Sequence, residues 1–233
     1  MSSQFEIPHD FVPVSQRGVD TRAAFITRTY NHLMGAIVGF TLLEVWLFSS
    51  GLAEPIASAL MSGNWLLVLG AFMLVSWFAT RTAHTASSMG AQYAALAAIV
   101  AAYGVLFVPM LYLADATAPG AIQSAAVVTL LGFAGLTAVA FTTRKDFSFM
   151  GSMLRWIGVM AIVAIVASVL FGFELGTWFS VGMVAFAGGA ILYDTSNVLH
   201  HFPEDRYVAG ALQLFASVAL LFWYVLRLFM SRD

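Results

Sequence analysis

The chain has 233 residues, 61% of them hydrophobic and only 9% charged, with a formal net charge of −2 and no cysteine. That composition excludes a soluble domain with a solvated surface, and the absence of a basic patch argues against nucleic acid as a partner. Without cysteine there is neither a disulfide scaffold nor thiol chemistry, so the first partner to expect is the lipid bilayer.

Residues 1–22 are polar, carry Glu6, Asp10 and Asp20, and lack the apolar core of a cleavable signal peptide. They read as a mobile cytoplasmic tail ahead of a single membrane domain, 23–233. Apolar runs of about 20 residues then recur, the length that crosses roughly 30 Å of hydrocarbon as a helix. Predicted spans are Ile26–Ser50, Asn64–Thr80, Ala91–Leu113, Ile122–Phe141, Gly151–Leu170, Trp178–Leu199 and Tyr207–Met230. Strand-length alternation is absent, so the fold class is all-α: a polytopic membrane protein with seven transmembrane helices in one bundle. Trp46, Trp65, Trp77, Trp178 and Trp223 fall near span ends, at headgroup depth.

Arg17, Arg22, Arg28, Arg81, Arg144, Lys145, Arg155 and Arg206 fall on one side of this layout, and only Arg227 and Arg232 on the other. The positive-inside rule then puts the N-terminus in the cytoplasm and the C-terminus outside. Small residues at helical spacing, Gly35 and Gly39 in the first span and Gly182, Gly188 and Gly189 in the sixth, are expected to let helix backbones approach closely.

Polar side chains inside the spans are the candidate functional residues. His32, one turn into the first span, is a group able to titrate near neutrality or to hydrogen-bond a neighbouring helix. Glu44, nearer the outer face of that span, can either pair with Arg227 of the seventh as an outer polar gate or sit at the interface. On the sixth span Ala187, Ala190, Asp194, Asn197 and His201 recur at three and four residue intervals and so share a stripe. Asp194 is the outstanding member, because a carboxylate in hydrocarbon calls for a partner or a task. It either pins two helices together or serves an inner gate or pH sensor, with Arg81 as the expected ionic partner. Gln213 and Ser217 lie on one face of the seventh span and are able to donate to it.

The segment from His200 to Asp205 mixes imidazoles and carboxylates, yet Pro203 followed by two acids reads as the start of the last helix, with no metal. No nucleophile elbow, zinc motif or phosphate loop is present. Neither a cofactor nor an enzymatic activity is expected.

Two segments carry a family resemblance. The run Thr142, Thr143, Arg144, Lys145, Asp146, Phe147, Ser148, Phe149, Met150, Gly151 and the later Gly189, Ala190, Ile191, Leu192, Tyr193, Asp194, Thr195, Ser196, Asn197 resemble the Bax inhibitor-1 (TMBIM) family. The bacterial YccA-type branch is the most similar. In members resembling calcium leak channels, two aspartates on the last two helices face an arginine on the second; Asp194 matches the first and Arg81 approximately the arginine, whereas Ser217 stands where the second aspartate is expected. For the YccA-type branch the resemblance implies a bacterial inner-membrane protein that modulates, and is slowly degraded by, a membrane-anchored AAA protease with stomatin-like scaffold proteins. The polar tail would then be the segment the protease engages. A pH-sensitive calcium leak and an accessory role in a larger membrane complex are the alternatives. From the residues alone, Asp146 or Ser148 is expected to cap the fifth span.

Overall fold

A computed structural model describes residues 12–143 and 145–231. The distal part of the N-terminal tail, Arg144, and Arg232 with Asp233 lie outside the described residues, and with them the tail's part as a protease handle. The described residues form α1 (Val19–Ser49), α2 (Ala53–Ser62), α3 (Trp65–Thr85), α4 (Met89–Thr117), α5 (Ala121–Thr143), α6 (Met150–Phe171), α7 (Gly176–His200) and α8 (Tyr207–Met230). Seven of these, all but α2, are long and apolar enough to cross a membrane. The protein is thus an all-α, multi-pass membrane bundle, with α7 and α8 as the sixth and seventh spans.

Hydropathy locates the apolar stretch of each helix but not its ends. α1 begins at Val19 rather than Ile26, because nothing in Asp20 to Arg22 breaks a helix once it leaves the hydrocarbon. Asp20 and Arg22 of the polar N-terminal segment thus belong to α1. Val14–Gln16 form a short 3-10 turn in which Val14 is fully buried.

α2 is the element absent from the span count. Its ten residues are too few to cross, and Pro55 sits in the first turn, where the missing N–H costs nothing. Gly51, at φ 76°, makes the reversal from α1 in a backbone region that L side chains rarely adopt. Ala53 and Ala57 then pack α2 onto Leu47 of α1 and Val108 of α4. The Asn64 side chain caps α3 by accepting from Leu66 N at 3.0 Å.

α8 is the axis of the bundle. In its most apolar stretch 72% is buried, against 11–44% in the other spans. α1, α3, α4, α5 and α7 surround it, while α6 packs chiefly on α7. Gly210 permits part of this arrangement, since a Cβ there would stand 3.2 Å from both Thr29 of α1 and Val198 of α7. The expectation that Gly35, Gly39 and Gly182 mark close packing is not met. A Cβ at any of the three would touch nothing within 4 Å; Gly35 and Gly39 instead border a groove that they line together with Tyr93, Leu96 and Val100 of α4.

Candidate functional site

Asp194 lies in α7 where that helix meets α8, and is 5% exposed. Gln213 and Ser217, four residues apart and therefore on one face of α8, both turn toward it. Gln213 Nε2 donates to Asp194 Oδ1 at 2.6 Å, and Ser217 Oγ donates to Oδ2. Each carboxylate oxygen thus meets one donor, so the group is buried and satisfied without a cation. Ile191 and Val198 of α7, both fully buried, flank it one turn away on either side.

Arg81 is not that partner. It is exposed on α3, its guanidinium 5.4 Å from the centre of the Trp77 ring. α3 packs on α4 and reaches α8 but not α7 to any comparable extent, which puts Arg81 on a different flank of the bundle. His32 is likewise apart, partly exposed, with Nδ1 2.7 Å from Arg28 O and Nε2 3.0 Å from the Tyr93 hydroxyl. Asn197 follows Asp194 by one turn, half-buried; its backbone oxygen accepts from His201 N at 2.8 Å and Phe202 N at 3.2 Å.

The outer pair does not form. Glu44 is 7% exposed, faces Gly104 of α4, and neither of its carboxylate oxygens has a hydrogen-bond partner. Its burial on α1 against α4 turns the carboxylate toward protein rather than toward the surroundings of the bundle. Arg227 instead lines a cavity at the far end of α8.

Six residues beyond Asp194, roughly 9 Å at helical rise, the chain between α7 and α8 is held from three sides. From the N-terminus, Val14 N donates to Phe202 O at 2.8 Å, Ser15 Oγ donates to His200 O at 2.7 Å, and Arg17 pairs with Glu204 at 3.8 Å. From the α3–α4 loop, Ala86 O accepts from the Arg206 guanidinium. From the α5–α6 loop, Asp146 Oδ2 meets His201 Nε2 at 3.0 Å, and Phe147 N donates to Ser196 Oγ at 2.8 Å.

This network corrects two local expectations. Asp146 does not cap the following helix; its Oδ1 accepts from Ser148 N at 2.9 Å and its other oxygen faces His201. Phe149, with no side-chain cap bond, occupies the cap position. Pro203 does not open α8 either, but lies in a short antiparallel bridge with Pro13, and Glu204 and Asp205 face arginines. The pairing of loops so distant in sequence leaves no local periodicity, which is why Ser196 and His201 were not legible as network members. Among the described residues no group of three or more His, Cys, Asp or Glu side chains is placed to hold a metal ion.

Seven apolar spans with α8 buried at their centre, and one carboxylate sealed between the last two helices, define a polytopic α-helical membrane protein rather than an outer-membrane barrel. The chain belongs to the family described as inhibitor of apoptosis-promoting Bax1, whose model matches residues 22–233. It is 34% identical over 122 residues to an uncharacterized Pseudomonas aeruginosa protein, covering 51% of this chain and 54% of that one. It is also 34% identical over 108 residues, 45% of this chain and 49% of the relative, to the Escherichia coli modulator of FtsH protease YccA. Bax inhibitor 1 of Schizosaccharomyces pombe matches at 31% over 114 residues, 46% and 41% of the two chains. The chain spans about half the length of the curated relatives it matches. Where these names state a role, it is that of a modulator or an inhibitor.

Proposed function

We propose that the protein is a regulatory component of a bacterial inner membrane that modulates a membrane-anchored AAA protease and is itself a slow substrate of it. The likeness to the modulator of FtsH protease carries this reading, and the same protein in another E. coli strain is called an inner membrane protein. The site agrees with a role that does not conduct. Among the described residues Asp194 is the one carboxylate bonded across the α7–α8 seam, and both of its oxygens are occupied by donors from α8, whereas a calcium ion takes six to eight oxygen ligands. On this reading the N-terminus faces the cytoplasm, where the protease's ATP-driven machinery works, and stomatin-like scaffold proteins are further partners.

The protein should co-purify, from native membrane in mild detergent, with an AAA protease. An isolated chain that passes calcium when reconstituted into liposomes would replace this reading with a cation leak.

A further inference from the structure

A cavity of about 790 Å³ opens along the α7–α8 seam beyond Ser217, toward the C-terminal end of α8, within the range of about 300–1,000 Å³ common for ligand pockets. Because α6 packs chiefly on α7 and α3 chiefly on α4, the two pairs stand apart over α8, which forms the floor. The lining residues of α8 and its C-cap run from Ser231 down to Ala219. Twelve rises at 1.5 Å give about 18 Å, close to one leaflet, or half of roughly 30 Å of hydrocarbon.

The lining is graded along that depth. Leu69 and Phe72 of α3, Ile162 and Ile165 of α6 and Phe186 of α7 make the inner walls apolar. At the rim stand Arg227 and Glu174, and among the described residues Arg227 has no ion-pair partner. About one helical turn into α7 lies Ser180, among the residues that border the cavity but only 1% exposed, with a buried hydroxyl that has no hydrogen-bond partner. A buried hydroxyl left unmade is costly, and here it is placed between a charged rim and an apolar interior. An amphiphile with its charge outside, an acceptor a few ångströms deeper and a hydrocarbon tail below matches all three zones.

The geometry points to a binding site for one amino-glycerophospholipid of the surrounding bilayer. Its phosphodiester pairs with Arg227, its ammonium with Glu174, an ester carbonyl accepts from Ser180 Oγ, and an acyl chain lies along the apolar walls. Arginine suits a phosphate oxygen pair through its planar fork of donors. The acid at the rim selects a zwitterionic headgroup over an anionic one.

Native mass spectrometry of the full chain in detergent, titrated with phosphatidylethanolamine or with phosphatidylglycerol of the same acyl chains, tests this. The expected result is one tightly held lipid per chain, with ethanolamine preferred. Arg227→Gln weakens both lipids about tenfold, the loss of one charge-assisted hydrogen-bonding group, while Glu174→Gln removes the preference and leaves phosphatidylglycerol binding intact. Ala161→Trp fills the cavity and abolishes the one-to-one complex. Should that variant fail to fold, the two rim variants decide alone. Lipid retained equally by the parent and both rim variants, or bound without stoichiometry, would mean annular lipid only and would overturn the proposal.

Discussion

Ser217 of α8 donates its hydroxyl to Asp194 of α7, so that the acid on one helix is held by a neutral donor on the next. One turn away on the same face of α8, Gln213 holds the other oxygen. The seam between the last two helices is thus closed by a neutral donor pair around a single acid.

Asp194→Ala removes the acceptor for both donors in a buried seam, so it should lower stability by about 1–3 kcal/mol. Thermal unfolding in detergent measures this. Arg81→Ala, on another flank and exposed, should stay within about 0.5 kcal/mol of the parent. Equal losses from the two variants would restore the ion pair that the geometry rules out.

Ser217→Asp places two carboxylates in contact, and like charges at that distance share a proton instead of both ionising. The variant should be more stable in acid than at neutral pH and should gain acid-modulated calcium flux in liposomes, a gain that Asp194→Asn abolishes. The parent should show little such flux. Strong acid-modulated flux from the unmodified chain would favour the leak reading.

Outside the membrane, Asp146 offers a pH test with a definite sign. Desolvation raises its carboxyl, but the hydrogen bonds from Ser148 and the charge and hydrogen bond of His201 outweigh it and hold the carboxyl below its ordinary value. Such a group stabilises the fold above its unfolded value of about 3.9, and that contribution is lost as pH falls through the folded value. Both partners are nearly half exposed, 48% for His201 and 44% for Asp146, which limits the pair to roughly 0.2–1 kcal/mol. Asp146→Asn should therefore speed amide exchange across 201–206 at neutral pH, with the difference closing below about pH 4. A difference that persists in strong acid would assign the tethering to other bonds.

Gly210→Ala and Gly39→Ala should part company. The first presses a methyl against Thr29 and Val198, both fully buried with little room to yield, and should cost about 1–3 kcal/mol. The second meets nothing within 4 Å and should stay within about 0.5 kcal/mol. Thermal unfolding of the two variants checks the contrast.

Much of this architecture was legible because a bilayer simplifies the code. Twenty apolar residues must be a helix when backbone groups have no water to bond, so seven spans could be read from hydropathy alone. The period of α8 likewise put Gln213 and Ser217 on one face. What hydropathy could not give was which face meets which neighbour. Arg81 and Asp194 fall on the same side of the layout, yet α3 and α7 stand on different flanks of α8. The same blindness affected Gly35 and Gly39, whose spacing is right for close packing but which border an open groove against α4 instead. α2 escaped because ten residues with a proline carry no spanning signal. The tether at His201 escaped because its partners come from loops far apart in the chain.

On the proposed function, this chain modulates a membrane AAA protease, with restraint of the protease as the expected direction. Co-reconstituting the protein with such a protease in liposomes, and following degradation of a second membrane substrate with ATP present, measures it directly. Degradation should slow in proportion to the amount of chain added, while the chain itself disappears slowly. An unchanged rate at saturating amounts, with the chain intact throughout, would contradict the account.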